Sequence, residues 1–548
     1  MLKINFFLAI TLLLLCSCNI EEDQLNKWTS YDESYEIKEN MSHSLERMRY
    51  LRIQSKHTDK NSFFIPFQDA LLNFSNEEYE KLKPLILEKD ILEIQNNIQQ
   101  GKLTYEKLCL FYLYRIYLFE TNKNTYLNSI IALNHNVLIN AKKKDQNRYK
   151  EINHPLYGMP ILLKDNIDAL PMSTTAGAAA LRNNIPINDA FIVKQLRKKG
   201  ALILGKVNLS EWAYYFCEGC PLGYSAIGGQ TLNPYGRMEF ETGGSSSGSA
   251  VSVAANFAVA AIGSETSGSI LSPSGKNSVV GLKPTVGLVS RSGIIPISST
   301  LDTAGPMTKN IIDNAILLNA IIGEDPNDSY SFSSKPIYYQ GLDTVSLKGK
   351  RLGIFRKFEK DSLMKQVLIK LRKAGATIVS LVSPELKLKK FRKLLDIDMK
   401  YDLPEYFNNY ASDQLPFDSI EDIIAFNNKD SILNAPYGQK IFSRIIKEKR
   451  DKEDFLKEKK LLMSTAKEYF NDIEKHDLEA IISIDNYTAT FAAAAHFPAL
   501  GVPMGYRKNG QPQNLTFIAP SKKEQTLLEL GAVFERINRV RKLPLLYE

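Results

Sequence analysis

The chain has 548 residues, of which 44% are hydrophobic and 24% charged, with a formal net charge of +8. These are ordinary globular values, and they exclude a disordered or fibrous chain. Basic and acidic residues are interspersed, so no cationic stripe marks a nucleic-acid partner. The length allows a large buried core, either as several domains or as one large α/β unit.

The first elements belong to targeting rather than to the fold. Met1-Leu2-Lys3 gives a positive start, and Phe6 to Leu15 is an apolar run broken only by Thr11. Such a run is too short to span a bilayer as a helix and matches a secretory h-region. Leu15-Cys16-Ser17-Cys18 then resembles a bacterial lipobox. That resemblance implies removal of residues 1–17 and lipidation of Cys18, with an ordinary cleaved signal peptide as the alternative. Several acyl chains on one cysteine anchor a protein stably. The expected localisation is therefore exported and membrane-anchored, facing the periplasm or the cell surface. Glu21-Glu22-Asp23 reads as a solvated tether, and residues 18–45 as a polar linker.

Residues 46–87 read as an N-terminal helical extension ahead of a large domain over residues 88–548. Glu46 to Ile53 and Tyr79 to Ile98 carry helical spacing, and Thr104 is placed to cap an amphipathic helix through Leu108, Phe111, Tyr112 and Ile116. From about residue 155 strands and helices alternate. Pro160–Leu163 is an apolar strand, Asp189 is positioned to cap a helix ending at Gly200, and Ala201–Leu204 is the next strand. Ser249–Val259 is a helix of small residues on every face, which predicts tight burial. Ala260–Ser264 is a strand and Thr308–Ile322 a helix. Near the C-terminus, Ala480–Ile484 is a strand, and Asn509-Gly510 turns a hairpin between residues 502–507 and 514–519. Ser521-Lys522-Lys523-Glu524 has the form of a capping box. This alternation predicts an α/β fold: a single large domain with a central mixed, mostly parallel sheet covered by helices on both faces.

The chemistry concentrates in three places. Lys164 follows the apolar run Ile161-Leu162-Leu163 and precedes Asp165-Asn166. Ser245 follows Gly243-Gly244 and opens a serine run, and Ser269 closes Gly263-Ser264-Glu265-Thr266-Ser267-Gly268-Ser269. A lysine with two glycine-led serine turns is the inventory of a Ser-Ser-Lys acyl-transfer site, which needs a nucleophile, a base and donors for an oxyanion. Backbone N–H groups of Thr266, Ser267, Gly268 and Ser269 are placed to converge on one oxygen. Lys164 must be neutral to act as a base, and burial among apolar neighbours favours that state. Asp165 would oppose it, so Asp165 is expected to point away and make structural hydrogen bonds.

With those residues in view, the chain over residues 88–545 resembles the amidase signature family. Gly158-Met159-Pro160 through Lys164-Asp165-Asn166 matches its lysine motif, and Gly243-Gly244-Ser245-Ser246 and Gly268-Ser269-Ile270 match its serine motifs. Val280–Thr285, Gly287–Ser290 and Asp302–Met307 continue the match. Leu209–Trp212, Gly228–Thr231 and Ser290–Gly293 look most like bacterial peptide amidase. The resemblance implies hydrolysis of a carboxamide, including a peptide C-terminal amide, to carboxylate and ammonia. Ser269 would be the nucleophile, Ser245 the proton bridge after a cis Gly244–Ser245 bond, and Lys164 the base, with no organic cofactor and no metal. The departures are Leu271, where the family often has arginine, and Ser267, where peptide amidase-like members tend to have aspartate.

Rival readings remain open at this level. Gly244-Ser245-Ser246-Ser247-Gly248 fits the form of a nucleophile elbow with Ser246 central, and His476 and His496 lie late enough to complete a Ser-His-Asp set. The amide-hydrolysing subunit of glutamyl-tRNA amidotransferase shares the signature, and an inactive lipid-anchored binding protein is a third reading. The lone Cys217-Glu218-Gly219-Cys220 lacks the second pair that a structural zinc needs, which leaves a disulfide or two free thiols. The variable segments 213–227 and 395–445 are expected to wall the substrate pocket.

Overall fold

The computed structural model describes residues 25–151 and 154–548. Residues 1–17 and Cys18 lie outside them. Thirteen short strands run through the described chain: β1 (Ile130–Leu133), β2 (Pro160–Lys164), β3 (Leu202–Val207), β4 (Tyr224–Ser225), β5 (Gly229–Gln230), β6 (Ala260–Glu265), β7 (Val280–Lys283), β8 (Thr303–Thr308), β9 (Arg351–Phe355), β10 (Thr377–Leu381), β11 (Ala480–Ile484), β12 (Ala499–Tyr506) and β13 (Pro512–Ile518). Among the described residues, eleven of them form one sheet in the order β1-β3-β2-β6-β8-β7-β12-β13-β11-β9-β10, and β4 pairs only with β5.

The sheet is mixed, as expected, but parallel pairing is confined to two patches: β3-β2-β6, and β11-β9-β10. Between them β8, β7, β12 and β13 run antiparallel to their neighbours. The expectation of a mostly parallel sheet is corrected there, because alternation of strands and helices along a chain does not fix strand order. The hairpin at Asn509-Gly510 forms where its sequence predicts, with Gly510 at φ +90°.

Helices flank the sheet. Ser247–Ala254 packs on β6, Ile311–Ile321 on β8 and Glu524–Ile537 on β12. Every residue of Ser247–Ala254 is buried, as its small side chains imply. Thr104 caps Tyr105–Glu120 by accepting from Lys107 N–H at 3.1 Å. Two expected caps are spent elsewhere. The Asp189 carboxylate accepts from Leu170 N–H at 2.8 Å and pairs with Arg197, and Ser521 donates to the His496 carbonyl. The predicted helix over 79–98 is two helices, Asn76–Ile86 and Ile91–Gln99, with Glu88 between them at φ +54°.

The described part of the expected linker is packed against the domain. Trp28 N–H donates to Asn61 at 2.8 Å, and Trp28 meets Tyr126 edge-on at 4.9 Å. The Glu33 carboxylate accepts from the N–H groups of Ile53 and Gln54, and residues 34–40 form a helix. The extension is helical only in part, because Glu46–Met48 is a single 3-10 turn and residues 49–59 form no regular element. Aromatic and apolar residues between the charges (Trp28, Tyr31, Met48, Tyr50, Ile53) supply the buried surface that holds it. No helix among the described residues is long and apolar enough to cross a membrane.

Candidate active site

Lys164 is the last residue of β2, at the carboxyl end of the parallel patch β3-β2-β6, where α/β sheets open their ligand crevices. Its side chain is fully buried. Nζ lies 2.8 Å from Ser245 Oγ, 2.9 Å from Ser264 Oγ and 3.1 Å from the Ser264 carbonyl oxygen. A neutral amine has two N–H donors and one lone pair. With the two donors on Ser264, the lone pair faces the Ser245 hydroxyl.

Burial pushes the Lys164 ammonium down to about 7, against the pull of Asp302 and Glu265. Asp165 takes no part in this. It accepts from Thr175 N–H at 3.2 Å and from the Thr175 hydroxyl, and its other oxygen stands 3.4 Å from Lys206 Nζ. The expectation that Asp165 turns away holds.

Two glycine-led turns bring the serine loops alongside Lys164. Gly243 has φ +64°, and a Cβ there would meet Pro273 backbone at 2.7 Å, so only glycine fits. The Gly244–Ser245 peptide is cis. Ser210 N–H donates to the Ser245 carbonyl at 3.0 Å, and Ser246 N–H donates to the Ser269 carbonyl at 3.1 Å, which ties the two serine loops together. Ser269 Oγ has no hydrogen-bond partner among the described residues and lines a cavity of about 630 Å³ with Gly244, Thr266 and Ser267. Among the described residues no hydrogen bond joins the Ser245 and Ser269 hydroxyls, which stand on adjoining turns tied through Ser246 N–H.

The Glu265 carboxylate organises the Ser269 turn. One oxygen accepts from Gly268 N–H at 2.6 Å, and the other from Ile270 N–H at 2.7 Å and Leu271 N–H at 3.0 Å. Gly268 N–H is therefore engaged away from the cavity, which removes it from the expected oxyanion donors and leaves Thr266, Ser267 and Ser269. Thr266 Oγ1 donates to Asp302, whose other oxygen accepts from Ile297 and Ser298 N–H at 2.8 and 2.9 Å. Burial pushes the Asp302 carboxyl up to about 6. Ser267 Oγ donates to Thr490 at 3.0 Å. Leu271 is buried and does not line the cavity.

Ser264, Glu265 and Asp302 are functional neighbours that the sequence reading passed over. Glu265 carried a usable signal, as the one charge inside an otherwise uncharged Gly/Ser-rich turn. The cavity wall takes Ala213, Tyr214, Tyr215 and Leu222 from the expected segment 213–227, but only Leu395 from 395–445. Leu45 and Arg47 of the N-terminal segment also line it. Cys217 and Cys220 form a disulfide just beyond Tyr215.

The Ser-His-Asp reading fails on geometry. The Ser246 hydroxyl donates to the Ser264 carbonyl at 3.0 Å and accepts from Ser264 N–H at 3.2 Å. His496 sits against Tyr330 outside the cavity lining, held neutral by burial and Lys283, with its pKa pushed down to about 4. His476 lies 3.7 Å from Asp472 in an open turn.

An amidase family model matches residues 110–528. The chain belongs to the amidase signature family. It is 35% identical over 481 residues to a probable amidase of Arabidopsis thaliana, covering 84% of this chain and 92% of that one. An amidase family protein of Bacillus anthracis has 36% identity and a TM-score of 0.86, over 90% of this chain and 99% of that one. The peptide amidase of Stenotrophomonas maltophilia has 37% identity and a TM-score of 0.79, over 84% of this chain and 98% of that one. The family resemblance also extends to a glutamyl-tRNA(Gln) amidotransferase chain of Syntrophus aciditrophicus, 30% identical over 82% of this chain and 98% of its own. The amidase is a hydrolase acting on amide C–N bonds.

Proposed function

We propose that this amidase hydrolyses primary carboxamides, peptide C-terminal amides among them, through an acyl-enzyme on Ser269. The observation that carries the reading is the buried amine of Lys164, with its pKa near 7, lying 2.8 Å from Ser245 Oγ beside the Ser269 turn. Ser269 Oγ attacks the carbonyl carbon, and its proton passes to Ser245 as the Ser245 proton passes to Lys164. The N–H groups of Thr266, Ser267 and Ser269 receive the oxyanion, and Glu265 holds their turn rigid through its three backbone contacts. Lys164 then returns a proton through Ser245 to the departing nitrogen, and ammonia leaves. Water enters by the same relay and frees the carboxylate. No step requires a metal or an organic cofactor. The polar, charge-paired cavity and the likeness to a peptide amidase support a peptide-type substrate over a fatty amide.

The lipobox-like Leu15-Cys16-Ser17-Cys18 supports an exported enzyme anchored by a lipidated Cys18, on the periplasmic or cell-surface side of a bacterial membrane. That placement disfavours a role in a tRNA-dependent amidotransferase.

Ammonia release from amidated dipeptides, aryl amides and fatty amides tests the reading. Turnover of the dipeptide amides above the fatty amides supports it. Turnover of none of the three overturns it.

A further inference from the structure

The segment that packs ahead of the catalytic domain supplies part of the cavity wall. Arg47 is joined to Glu241 through both its Nε and Nη2 atoms, and Glu241 lies four residues before Ser245. Neighbouring bonds fix the segment in place: Asn40 donates to the Met238 carbonyl at 3.3 Å, and Gln230 N–H donates to the Ile53 carbonyl at 2.8 Å. A second cation stands close by. The Asn233 side-chain amide donates to the Glu241 carbonyl at 2.8 Å and to the Lys276 carbonyl at 2.9 Å, so one amide bridges the two segments. Lys276 also lines the cavity, and its ammonium meets Asp485 at 3.1 Å.

The charged groups of this wall are one-sided in hydrogen-bonding capacity. Both Glu241 oxygens are occupied by Arg47, and Asp485 accepts from Lys276 on one oxygen and from Asn514 N–H at 2.8 Å on the other. Both carboxylates are buried, with Glu241 6% and Asp485 1% exposed. The cations keep donors in reserve: Nη1 of Arg47 and two N–H of Lys276 have no partner among the described residues. The Arg47 side chain is 47% exposed, against 6% for its partner. A ligand entering here finds free donors and engaged charged acceptors, a setting that favours an acceptor-rich, anionic group.

We propose that Arg47 and Lys276 form a subsite for a carboxylate on the acyl portion of the amide substrate, so that the N-terminal segment sets substrate specificity. This rests on the amidase reading above and names the chemistry that the enzyme prefers within it. Leu271 is buried and away from the cavity, and Arg507, the third cation of the lining, is paired with Asp361 at 2.5 Å.

The test is kcat/KM for three capped amides, Ac-Glu-Phe-NH2, Ac-Gln-Phe-NH2 and Ac-Lys-Phe-NH2, with the full chain. The glutamyl substrate is expected to exceed the glutaminyl one by about tenfold or more, chiefly through KM, and the lysyl one to be poorest. The preference should shrink as salt rises, since partly exposed charges are screened. Arg47→Gln combined with Glu241→Gln removes the cation without stranding a buried carboxylate, and Lys276→Gln with Asp485→Asn does the same. Each pair is expected to bring the Glu/Gln ratio toward unity. Equal kcat/KM for the three amides in the wild type overturns the subsite while leaving the amidase reading intact. Hydrolysis of none of them overturns both. A preserved Glu/Gln ratio in both folded double variants assigns the selection to other groups and overturns the proposal.

Discussion

Lys164 and Asp165 are neighbours in sequence and face opposite sides of the sheet. Residue 163 pairs with Lys206 across the parallel β2–β3 ladder, and residue 164 pairs with Val207. Side chains alternate along a strand, so Asp165 falls on the Lys206 face and Lys164 on the other. Two buried lysines are thereby given different partners. Burial lowers the Lys206 pKa too, but Asp165 at 3.4 Å and Asp168, itself bound by Tyr406 at 2.8 Å, oppose that shift. Among the described residues, Lys164 bonds only to serine oxygens.

The separation predicts a pH profile. The Lys164 pKa is lowered on folding, so the amine is protonated below about 7 and free above it. kcat/KM should rise with pH through about 7 as one proton leaves, and then level. The sign for stability follows: between the folded value and the unfolded value of about 10.4 the unfolded chain binds the extra proton, so this group adds stability as pH rises through that window. Lys164→Met should abolish this increment in denaturant melts at pH 7 and pH 9, and lower kcat by at least about 10³, in the range for loss of a positioned base.

The two serines should separate kinetically. Ser269→Ala removes the atom proposed to be acylated, so turnover and covalent labelling should both vanish. Ser245→Ala leaves Ser269 in place without its relay, so turnover falls by about 10²–10⁴ while slow labelling of Ser269 persists. Intact-mass measurement after a serine-directed phosphonate distinguishes the two.

Glu265→Gln should be costly without touching substrate. Gly268, Ile270 and Leu271 N–H would face a neutral amide able to accept at one oxygen only. A loss of about 1–3 kcal/mol in folding stability is expected, the usual penalty for buried groups left without partners. kcat should fall with it, because the Ser269 turn loses its anchor. Urea melts and steady-state kinetics on the same preparation measure both.

The lysine and serine motifs were legible because they are local: glycines at forced turns, small residues on a buried helix, and a lysine ending an apolar strand. What was missed depends on partners remote in sequence. The segment around Arg47 reads as part of a helical extension with no tie to the cavity until Glu241, 194 positions later, receives it. Asp189 and Ser521 have the form of helix caps, yet Leu170 and His496 claim their oxygens once the chain folds. The Gly268 amide illustrates the same limit, since its direction is set by Glu265 three residues earlier rather than by the glycine itself.

The disulfide makes a further claim on the cavity. Cys217–Cys220 follows Ala213, Tyr214 and Tyr215, and Tyr214 donates its hydroxyl to the Cys220 carbonyl at 2.9 Å. So short a loop removes little unfolded-state entropy. Cys217→Ser with Cys220→Ser should therefore change Tm little but raise KM, as Tyr214 and Tyr215 lose their fixed wall. Thermal melts and initial-rate measurements on the purified variant check both.

Anchoring has its own check. Cells expressing the full chain and fed an alkynyl fatty acid should carry label on the protein and retain it in the membrane fraction. Cys18→Ala should lose both. Label retained in that variant contradicts lipidation at Cys18.

The rate at which a phosphonate modifies Ser269, followed against pH by intact-protein mass spectrometry, bears most directly on the relay from Lys164. A single adduct on Ser269, forming faster as pH passes about 7 and slowed by about 10² or more in Lys164→Ala, is the predicted result. An adduct on another serine, or an unchanged rate in folded Lys164→Ala, contradicts it.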